Sequence, residues 1–260
     1  SENLQAGENF ARDTSVSEEL REEIRKSLQE LEAKRTASEL EIVAFGTISS
    51  GKSSLLNVLS GRQVFKANVI GGTTSTRSEI PWPGSDKVTL VDTPGLAEVK
   101  GESRAAEAAL AAKDADLVLL VVDGPLKAYE VDLAEQLLSM EKRIVVCLNK
   151  EDWYDKTEKE LLAGQIADQL PVIAAEDIVA VRATTVTRSR MRVASDGAEV
   201  AEQVEMPPDV QNLADRLMQI VERDGSDLLL ANLLLQSRGL VDQSKERVRA
   251  TLDQRAEEII

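Results

Sequence analysis

The stretch 41–61 places a glycine-rich loop between an apolar run and helix-forming residues. Apolar residues 42–45 lead into GTISSGKS, so two glycines, a lysine and a serine stand at G-x-x-x-x-G-K-S spacing. The glycines permit backbone conformations in which successive N–H groups point at a phosphate chain. The spacing predicts that Lys52 reaches the β- and γ-phosphates of a nucleoside triphosphate and that Ser53 binds Mg²⁺. The loop residues expected around the phosphates are Gly46, Ser49, Ser50, Gly51, Lys52, Ser53 and Ser54.

A second apolar run, 88–91, ends in the D-x-x-G pattern of Asp92 and Gly95. A carboxylate at a strand end can hold Mg²⁺ through water, and the Gly95 N–H can meet a γ-phosphate. The segment GGTTSTR at 71–77 is expected to supply a threonine that completes the Mg²⁺ shell only when a γ-phosphate is present.

The N-K-x-D pattern of Asn149, Lys150 and Asp152 follows the apolar run 144–148. Asp152 can accept hydrogen bonds from N1–H and the 2-amino group of guanine, whereas adenine would leave the carboxylate unpaired. Lys150 can lay its alkyl stem over the base, and Asn149 can tie this loop to the phosphate loop. The Ala183 N–H, after the strand predicted at 178–181, can meet the guanine oxygen, although its sequence signal is weak by itself. The pattern indicates GTP and GDP as the ligands.

Composition narrows the function further. The formal charge of −15 disfavours nucleic acid as a partner, and the absence of histidine excludes imidazole catalysis and histidine metal sites. A single cysteine, Cys147, excludes an internal disulfide and suits a reducing compartment. No apolar stretch approaches the roughly 18 residues of a membrane span and there is no signal peptide, so we expect a cytoplasmic protein. The chain begins with serine and ends inside an apparent helix, so we expect the natural chain to be longer.

Strands and helices alternate through the centre of the chain, which predicts an α/β fold with a doubly wound, mostly parallel sheet. Residues 188–206 are expected to form an extra hairpin, and a helix opened by 207–209 is expected to stop at Gly225. The expected organisation is a polar segment and amphipathic helix at 1–40, the α/β domain at 41–225, and a long helix at 226–260. The predicted strands lie at 42–45, 78–82, 88–91, 117–122, 144–148 and 178–181, and the predicted helices at 17–37, 53–59, 103–112, 129–140 and 156–169.

The ordered set GTISSGKS, GGTTSTR, DTPG and NKED resembles the P-loop GTPases over residues 41–186, and within them the Era/TrmE/septin-like group. The resemblance implies a GTP-hydrolysing, Mg²⁺-dependent switch. It also identifies Thr74, 21 positions after Ser53, as the metal threonine, with Thr76 as the alternative. The implied metal ligands are therefore Ser53, Thr74 and Asp92, and the residues implied in catalysis are Lys52, Ser49, Thr74 and Gly95.

Two positions depart from the Ras-like pattern. Leu96 stands where Ras-like members carry a catalytic glutamine, and a leucine cannot orient the attacking water. Ser49 stands where related GTPases carry asparagine or serine and use a monovalent cation. The resemblance thus implies slow basal hydrolysis, helped by K⁺ or Na⁺, by a nucleotide-dependent homodimer or by a partner. Arg62 and Arg77 are candidates for contacts between two copies.

The predicted flanking helices also resemble dynamin-like organisation, in which helices before and after the GTPase domain pair. Generic packing against the domain explains them nearly as well. Some bacterial members continue into a membrane-associated C-terminal domain, so membrane association through residues beyond 260 is an expectation of this resemblance. The alternatives to a hydrolysing switch are a dynamin-like mechanochemical GTPase, a binding-only switch, and an RNA- or ribosome-associated factor.

Overall fold

A computed structural model describes residues 39–47, 49–65, 78–93, 112, 114–193 and 199–257, together with single positions between 18 and 33. The chain divides into two compact units. One unit comprises residues 40–223, and the other comprises residues 1–39 and 224–260. In the part of the chain that the structure describes, no helix has the length and apolarity needed to cross a membrane.

The larger unit is built on a six-stranded sheet in the order β2-β3-β1-β4-β5-β6. Four neighbouring pairs are parallel, and only the edge strand β2 is antiparallel to its neighbour β3. This is the mostly parallel α/β sheet predicted from the sequence. Its strands are β1 (Leu40–Gly46), β2 (Ser78–Pro81), β3 (Val88–Asp92), β4 (Leu117–Val122), β5 (Arg143–Leu148) and β6 (Ile178–Ala180).

Helices cover the sheet and bury its central strands. All six residues of β4 are buried, and in β5 only Arg143 is partly exposed, as their continuous apolar runs predicted. The helices of this part are α1 (Lys52–Ser60), α2 (Ala128–Ser139) and α3 (Lys156–Gln169). Helix α3 begins at a capping box, in which Asp155 and Glu158 each accept a hydrogen bond of 2.8 Å from the other's backbone N–H.

An antiparallel hairpin lies where the sequence alternation predicted one. Its strands are β7 (Val186–Val193) and β8 (Glu199–Met206), which pair with each other in a separate two-stranded sheet. Directly after β8 the chain returns to the end of β6, where Arg182 and Asp209 exchange two backbone hydrogen bonds of 2.8 Å. The return of the hairpin is therefore tied to the connection that leaves β6.

The predicted helix stop at Gly225 is wrong. A single helix, α4 (Gln211–Glu257), runs through this position without interruption. Glycine inside a helix costs only about 1 kcal/mol relative to alanine, and the helix-forming residues on both sides outweigh that cost. The described positions between 18 and 33 are also helical, but the apolar residues Leu20, Ile24, Leu28 and Leu31 lie outside the described residues.

Asn57 of α1 fixes the loop that follows this helix. Its Nδ2 donates to the carbonyl of Phe65 at 2.8 Å, and its Oδ1 accepts from the N–H groups of Val64 (2.9 Å) and Phe65 (2.8 Å). The Asn57 side chain and both of its bonds to Phe65 are buried, so water cannot replace these two bonds, whereas the bond to Val64 is partly buried. Asn57 thus holds the stretch that leads into the predicted switch segment.

We expect Asn57→Ala to lower the free energy of unfolding by about 3 kcal/mol, because the buried backbone N–H and carbonyl of Phe65 lose their partners. Urea unfolding of the nucleotide-free protein, followed by the fluorescence of the buried Trp82, measures the change. Ser54→Ala in the same helix serves as the control and should change stability by less than about 0.5 kcal/mol. Equal stability of both variants would contradict the structural role of Asn57.

Candidate functional site

The predicted functional loops converge at one edge of the sheet. Because β1, β3, β4, β5 and β6 run parallel, their carboxyl ends face the same side. The register places Asp92 beside Ala44, next to the loop that begins at Gly46. The segments that leave β4 to β6 carry Asp123, Asn149–Asp152 and Arg182–Ala183 respectively.

The phosphate loop contains two glycines that no other residue can replace without strain. Gly46 has a φ of 149°, and a Cβ there would stand 2.2 Å from the carbonyl oxygen of Val121. Gly51 has a φ of 95°, and a Cβ there would stand 2.2 Å from Nδ2 of Asn149. Both close approaches bring the loop against the neighbouring strand ends. The glycine spacing therefore reflects tertiary contacts as well as backbone freedom.

Ser49 is exposed and holds a left-handed backbone conformation with a φ of 65°. Such a conformation is uncommon for a residue other than glycine, asparagine or aspartate and costs on the order of 1 kcal/mol or more. Strain of this kind is concentrated at ligand-binding loops, and it presents the Ser49 side chain at the surface of the loop.

Lys52 is the first residue of α1, and its ammonium group folds back over the phosphate loop. Nζ donates to the carbonyls of Gly46 at 3.1 Å and Thr47 at 3.0 Å, and the side chain is buried. The N-terminus of α1 carries backbone N–H groups without partners inside the helix, together with the positive end of the helix dipole. Lysine and helix terminus together form an anion-binding corner.

Ser53 and Asp92 form the pair that fits a divalent cation. The Ser53 hydroxyl donates to Asp92 Oδ2 at 2.6 Å, while Asp92 Oδ1 is buried and, among the described residues, has no hydrogen-bond partner. Burial raises the pKa of the Asp92 carboxyl, against the lowering effects of the Ser53 hydrogen bond and the Lys52 charge. A buried carboxylate oxygen without a donor beside a hydroxyl is a hard oxygen set that suits Mg²⁺.

Asn149 connects the phosphate loop to the predicted base-binding loops. Its Nδ2 donates to the Ser50 carbonyl at 2.8 Å, and its Oδ1 accepts from the Ala183 N–H at 3.1 Å. The first contact is the tie to the phosphate loop expected from the sequence. The second contact means that the Ala183 N–H, which is predicted to meet a guanine oxygen, already donates to Asn149.

Lys150 contacts two neighbours that the sequence did not single out, Asp123 and Trp153. Its Nζ lies 2.7 Å from Asp123 Oδ2 and 4.4 Å from the centre of the Trp153 ring. The hydroxyl of Tyr154 donates to the Asp123 carbonyl at 2.8 Å and so braces the partner of the lysine. The position of Asp123 directly after β4 was the available sequence signal, because carboxyl ends of parallel strands carry site residues.

Asp152 lies in the 3₁₀ turn Glu151–Trp153 and is partly exposed, and its role in base recognition stays a prediction. Several other predicted site residues lie outside the described residues. These are Thr74, Thr76, Arg77, Gly95 and Leu96, and their assignments stay predictions.

The fold and the ordered loops are similar to those of P-loop GTPases. Residues 41–150 match the family described as 50S ribosome-binding GTPase. GTPase Der from Rickettsia felis is 29% identical over 140 residues, and GTPase Der from Rickettsia bellii is 30% identical over the same length. Each match covers 50% of this chain and 31% of the relative, so the chain spans about a third of the length of these curated relatives.

Two solved structures illustrate the structural likeness. The septin GTPase domain from Chlamydomonas reinhardtii has a TM-score of 0.54 at 14% identity, over 77% of this chain and 98% of that one. Era from Aquifex aeolicus, bound to GDP.AlF4-, has a TM-score of 0.49 at 25% identity, over 55% of this chain and 50% of that one. The septin likeness shows a shared fold.

We expect Gly51→Ala to be far more costly than Gly61→Ala, although both glycines have positive φ angles. At Gly61 nothing among the described residues lies within 4 Å of an added Cβ, so only backbone strain of roughly 1–2 kcal/mol applies. At Gly51 the methyl group must also displace Asn149, for a total of about 3 kcal/mol or more.

Thermal and urea unfolding of the two variants measure this difference in stability. Titration with a fluorescent GDP analogue measures nucleotide affinity. Gly51→Ala should also weaken GDP binding, because Asn149 can no longer hold Ser50. Equal losses of stability in the two variants would show that the Gly51–Asn149 approach is not a constraint.

Proposed function

We propose that this chain binds GTP and hydrolyses it to GDP and phosphate as a Mg²⁺-dependent switch. The observation that carries the proposal is the double contact of Asn149, which joins the phosphate loop at Ser50 to the base-binding loop at Ala183. Lys52 at the phosphate loop and the Asp152 carboxylate in the N-K-x-D loop would thus belong to one connected site. Asp152 would read the N1–H and 2-amino groups of guanine.

The chain's own residues would bind and polarise the triphosphate. Lys52, released from the Gly46 and Thr47 carbonyls, would pair with the β- and γ-phosphates, and backbone N–H groups of the loop and α1 would stabilise charge on the β–γ bridging oxygen. Water would attack the γ-phosphate in line. Ser53, Asp92 and Thr74 would hold Mg²⁺, which when bound neutralises charge on the β- and γ-phosphate oxygens.

Hydrolysis would need assistance from a group other than the glutamine that Ras-like GTPases use, because Leu96 cannot orient the attacking water. Slow basal turnover of roughly 10⁻⁴–10⁻³ s⁻¹ is therefore expected. The exposed, strained Ser49 supports a monovalent cation, K⁺ or Na⁺, at the loop. A second copy across the nucleotide face would supply help of the same kind. A dynamin-like function with membrane association rests only on the flanking helices.

A second candidate, a ribosome-associated GTPase, is favoured by the description of the matched family. The formal charge of −15 opposes it, because RNA carries a dense negative charge. Binding of ribosomal RNA or of the large subunit at low salt decides between the two. Failure to bind either would leave a switch with a protein partner.

We expect Asp152→Asn to shift nucleotide preference from guanine to xanthine. An asparagine can donate to the 2-oxo group of xanthine, whereas it offers guanine N1–H and the 2-amino group only one acceptor. Competition of GDP and xanthosine diphosphate against a fluorescent nucleotide measures the shift, and a reversal of preference by about tenfold or more is expected.

Asp155→Asn is the matched control, because it makes the same chemical change three residues away. Asp155 caps α3, and asparagine caps equally well, so this variant should retain the preference for GDP. An unchanged preference in Asp152→Asn would mean that the base site has been misplaced.

Single-turnover hydrolysis of GTP is expected to be faster in KCl than in the chloride of a large organic cation at equal ionic strength. The reason is that a small cation near Ser49 offsets charge that develops between the β- and γ-phosphates. Chelation of Mg²⁺ should stop the reaction in both buffers. Phosphate release that equals the protein-free rate with every cation and at every protein concentration would instead indicate a binding-only switch.

A further inference from the structure

The variable residue of the N-K-x-D segment is anchored by two cations. Glu151 lies between Lys150 and Asp152, and its Oε1 accepts from Arg182 Nη1 at 2.9 Å. Its Oε2 accepts from Lys159 Nζ at 3.0 Å, and its backbone N–H donates to the Val181 carbonyl at 3.1 Å. The loop that carries Asp152 is thereby tied to the residue immediately before Ala183.

Arg182 is itself fixed on its other side. Its Nε donates to the Pro207 carbonyl at 2.8 Å, and its backbone exchanges two hydrogen bonds of 2.8 Å with Asp209. The side chain is 9% exposed, so the guanidinium is held in an almost dry environment. Arginine suits this task because its planar group presents several donors in fixed directions. Arg182 therefore joins three chain segments: the N-K-x-D loop, the end of β6, and the stretch before α4.

The sheet alone gives the two base-binding loops little support. β6 has only three residues and pairs with β5 through 146–148, and it is the last strand of the sheet. Lys150 has a left-handed φ of 59°, which bends the N-K-x-D loop away from the strand direction. Beyond the ends of β5 and β6, the two loops are joined by the backbone bond from Glu151 to Val181, by the Asn149–Ala183 bond and by the Glu151–Arg182 ion pair. This ion pair is partly buried, with the Arg182 side chain 9% and the Glu151 side chain 16% exposed.

We propose that Arg182 is a positioning residue for guanine recognition. Through Glu151 it sets where the Asp152 carboxylate stands relative to the Ala183 N–H, and so it governs discrimination between purine bases without touching the nucleotide. This role rests on the proposed function, in which Asp152 reads the edge of guanine. Because the spacing of the two loops is already fixed, they would lose little further conformational entropy when both contact one base. This is the effect of preorganisation on affinity.

The test compares GDP with inosine diphosphate, which differs only in lacking the 2-amino group that Asp152 would contact. The protein as it stands should prefer GDP by roughly tenfold or more, the worth of a hydrogen bond to a charged acceptor. Arg182→Lys replaces the two nitrogens that bond Glu151 and Pro207 in fixed directions with a single ammonium group. It should reduce this preference by about fivefold, the lower end of coupling between linked groups. Glu151→Gln removes the charge from the other end and should reduce the preference in the same direction.

The two substitutions should also be non-additive, because each removes the same link. Within error, the double variant is expected to keep at least the GDP preference of whichever single variant has the smaller preference. Calorimetric titration with both diphosphates gives the ratio of affinities, and thermal unfolding reports stability separately. If Arg182→Lys does not fold, Glu151→Gln, which preserves shape, decides the outcome.

Arg216→Lys is the matched control. Arg216 is a similarly buried arginine that binds Asp177 at 2.8 Å and Glu176 at 2.6 Å, away from the N-K-x-D loop. The Arg216→Lys variant should be less stable than the unsubstituted protein but should keep the same ratio of GDP affinity to inosine diphosphate affinity. Lys159→Ala should also keep the ratio, because the Arg182–Glu151 bond remains.

The outcomes separate the two levels of the proposal. If the unsubstituted protein binds GDP and prefers it to inosine diphosphate, but Arg182→Lys and Glu151→Gln retain that preference while losing stability, the ion pair is merely structural and the inference is wrong. If the unsubstituted protein shows no preference between the diphosphates, the assignment of Asp152 to guanine fails, and this inference fails with it.

Discussion

The side-chain amide of Asn149 is the contact on which the site depends. The Nδ2 of the amide donates to the phosphate loop and its Oδ1 accepts from the loop after β6. A single planar group therefore fixes the distance between these two loops. Its buried position makes both hydrogen bonds costly to lose. Gly51 is required to be glycine because Asn149 occupies the space of a side chain. The phosphate loop is thus shaped partly by a residue almost a hundred positions later in the chain.

Electrostatics in the site run against those of the chain as a whole. The formal charge of −15 repels a nucleotide at long range, yet the carboxyl edge of the sheet gathers Lys52, Lys150 and the N-terminus of α1. Charges that lie within a Debye length of each other are weakly screened by salt, whereas exposed charges farther apart are largely screened. Beside Lys52, the Asp92 carboxyl is desolvated and accepts a hydrogen bond from the Ser53 hydroxyl. A divalent cation would remove the cost of burying that carboxylate.

Different parts of the fold were predictable to different degrees. The strands were predictable because continuous apolar runs such as 117–122 and 144–148 leave few alternatives to a strand buried on both faces. The helix end at Gly225 was not, because a glycine is a weak signal whose cost is overcome by the helix-forming residues around it. The hairpin of β7 and β8 was visible as alternation, but its return to Arg182 through Asp209 was not, since that pairing is non-local.

By itself the sequence determined the order of the loops and predicted the kind of ligand, because those loops are short contiguous patterns whose chemistry depends on residue type and spacing. Lys52, Ser53, Asp92, Asn149 and Asp152 are all predicted as site residues in this way. Only the tertiary structure decided which other residues hold these in place. Asp123 beside Lys150 and Arg182 beside Glu151 are separated in sequence by 27 and 31 residues and carry no pattern of their own. Parallel strands bring loops that are distant in sequence to one edge of the sheet. There, partial burial holds charged side chains in fixed ion pairs.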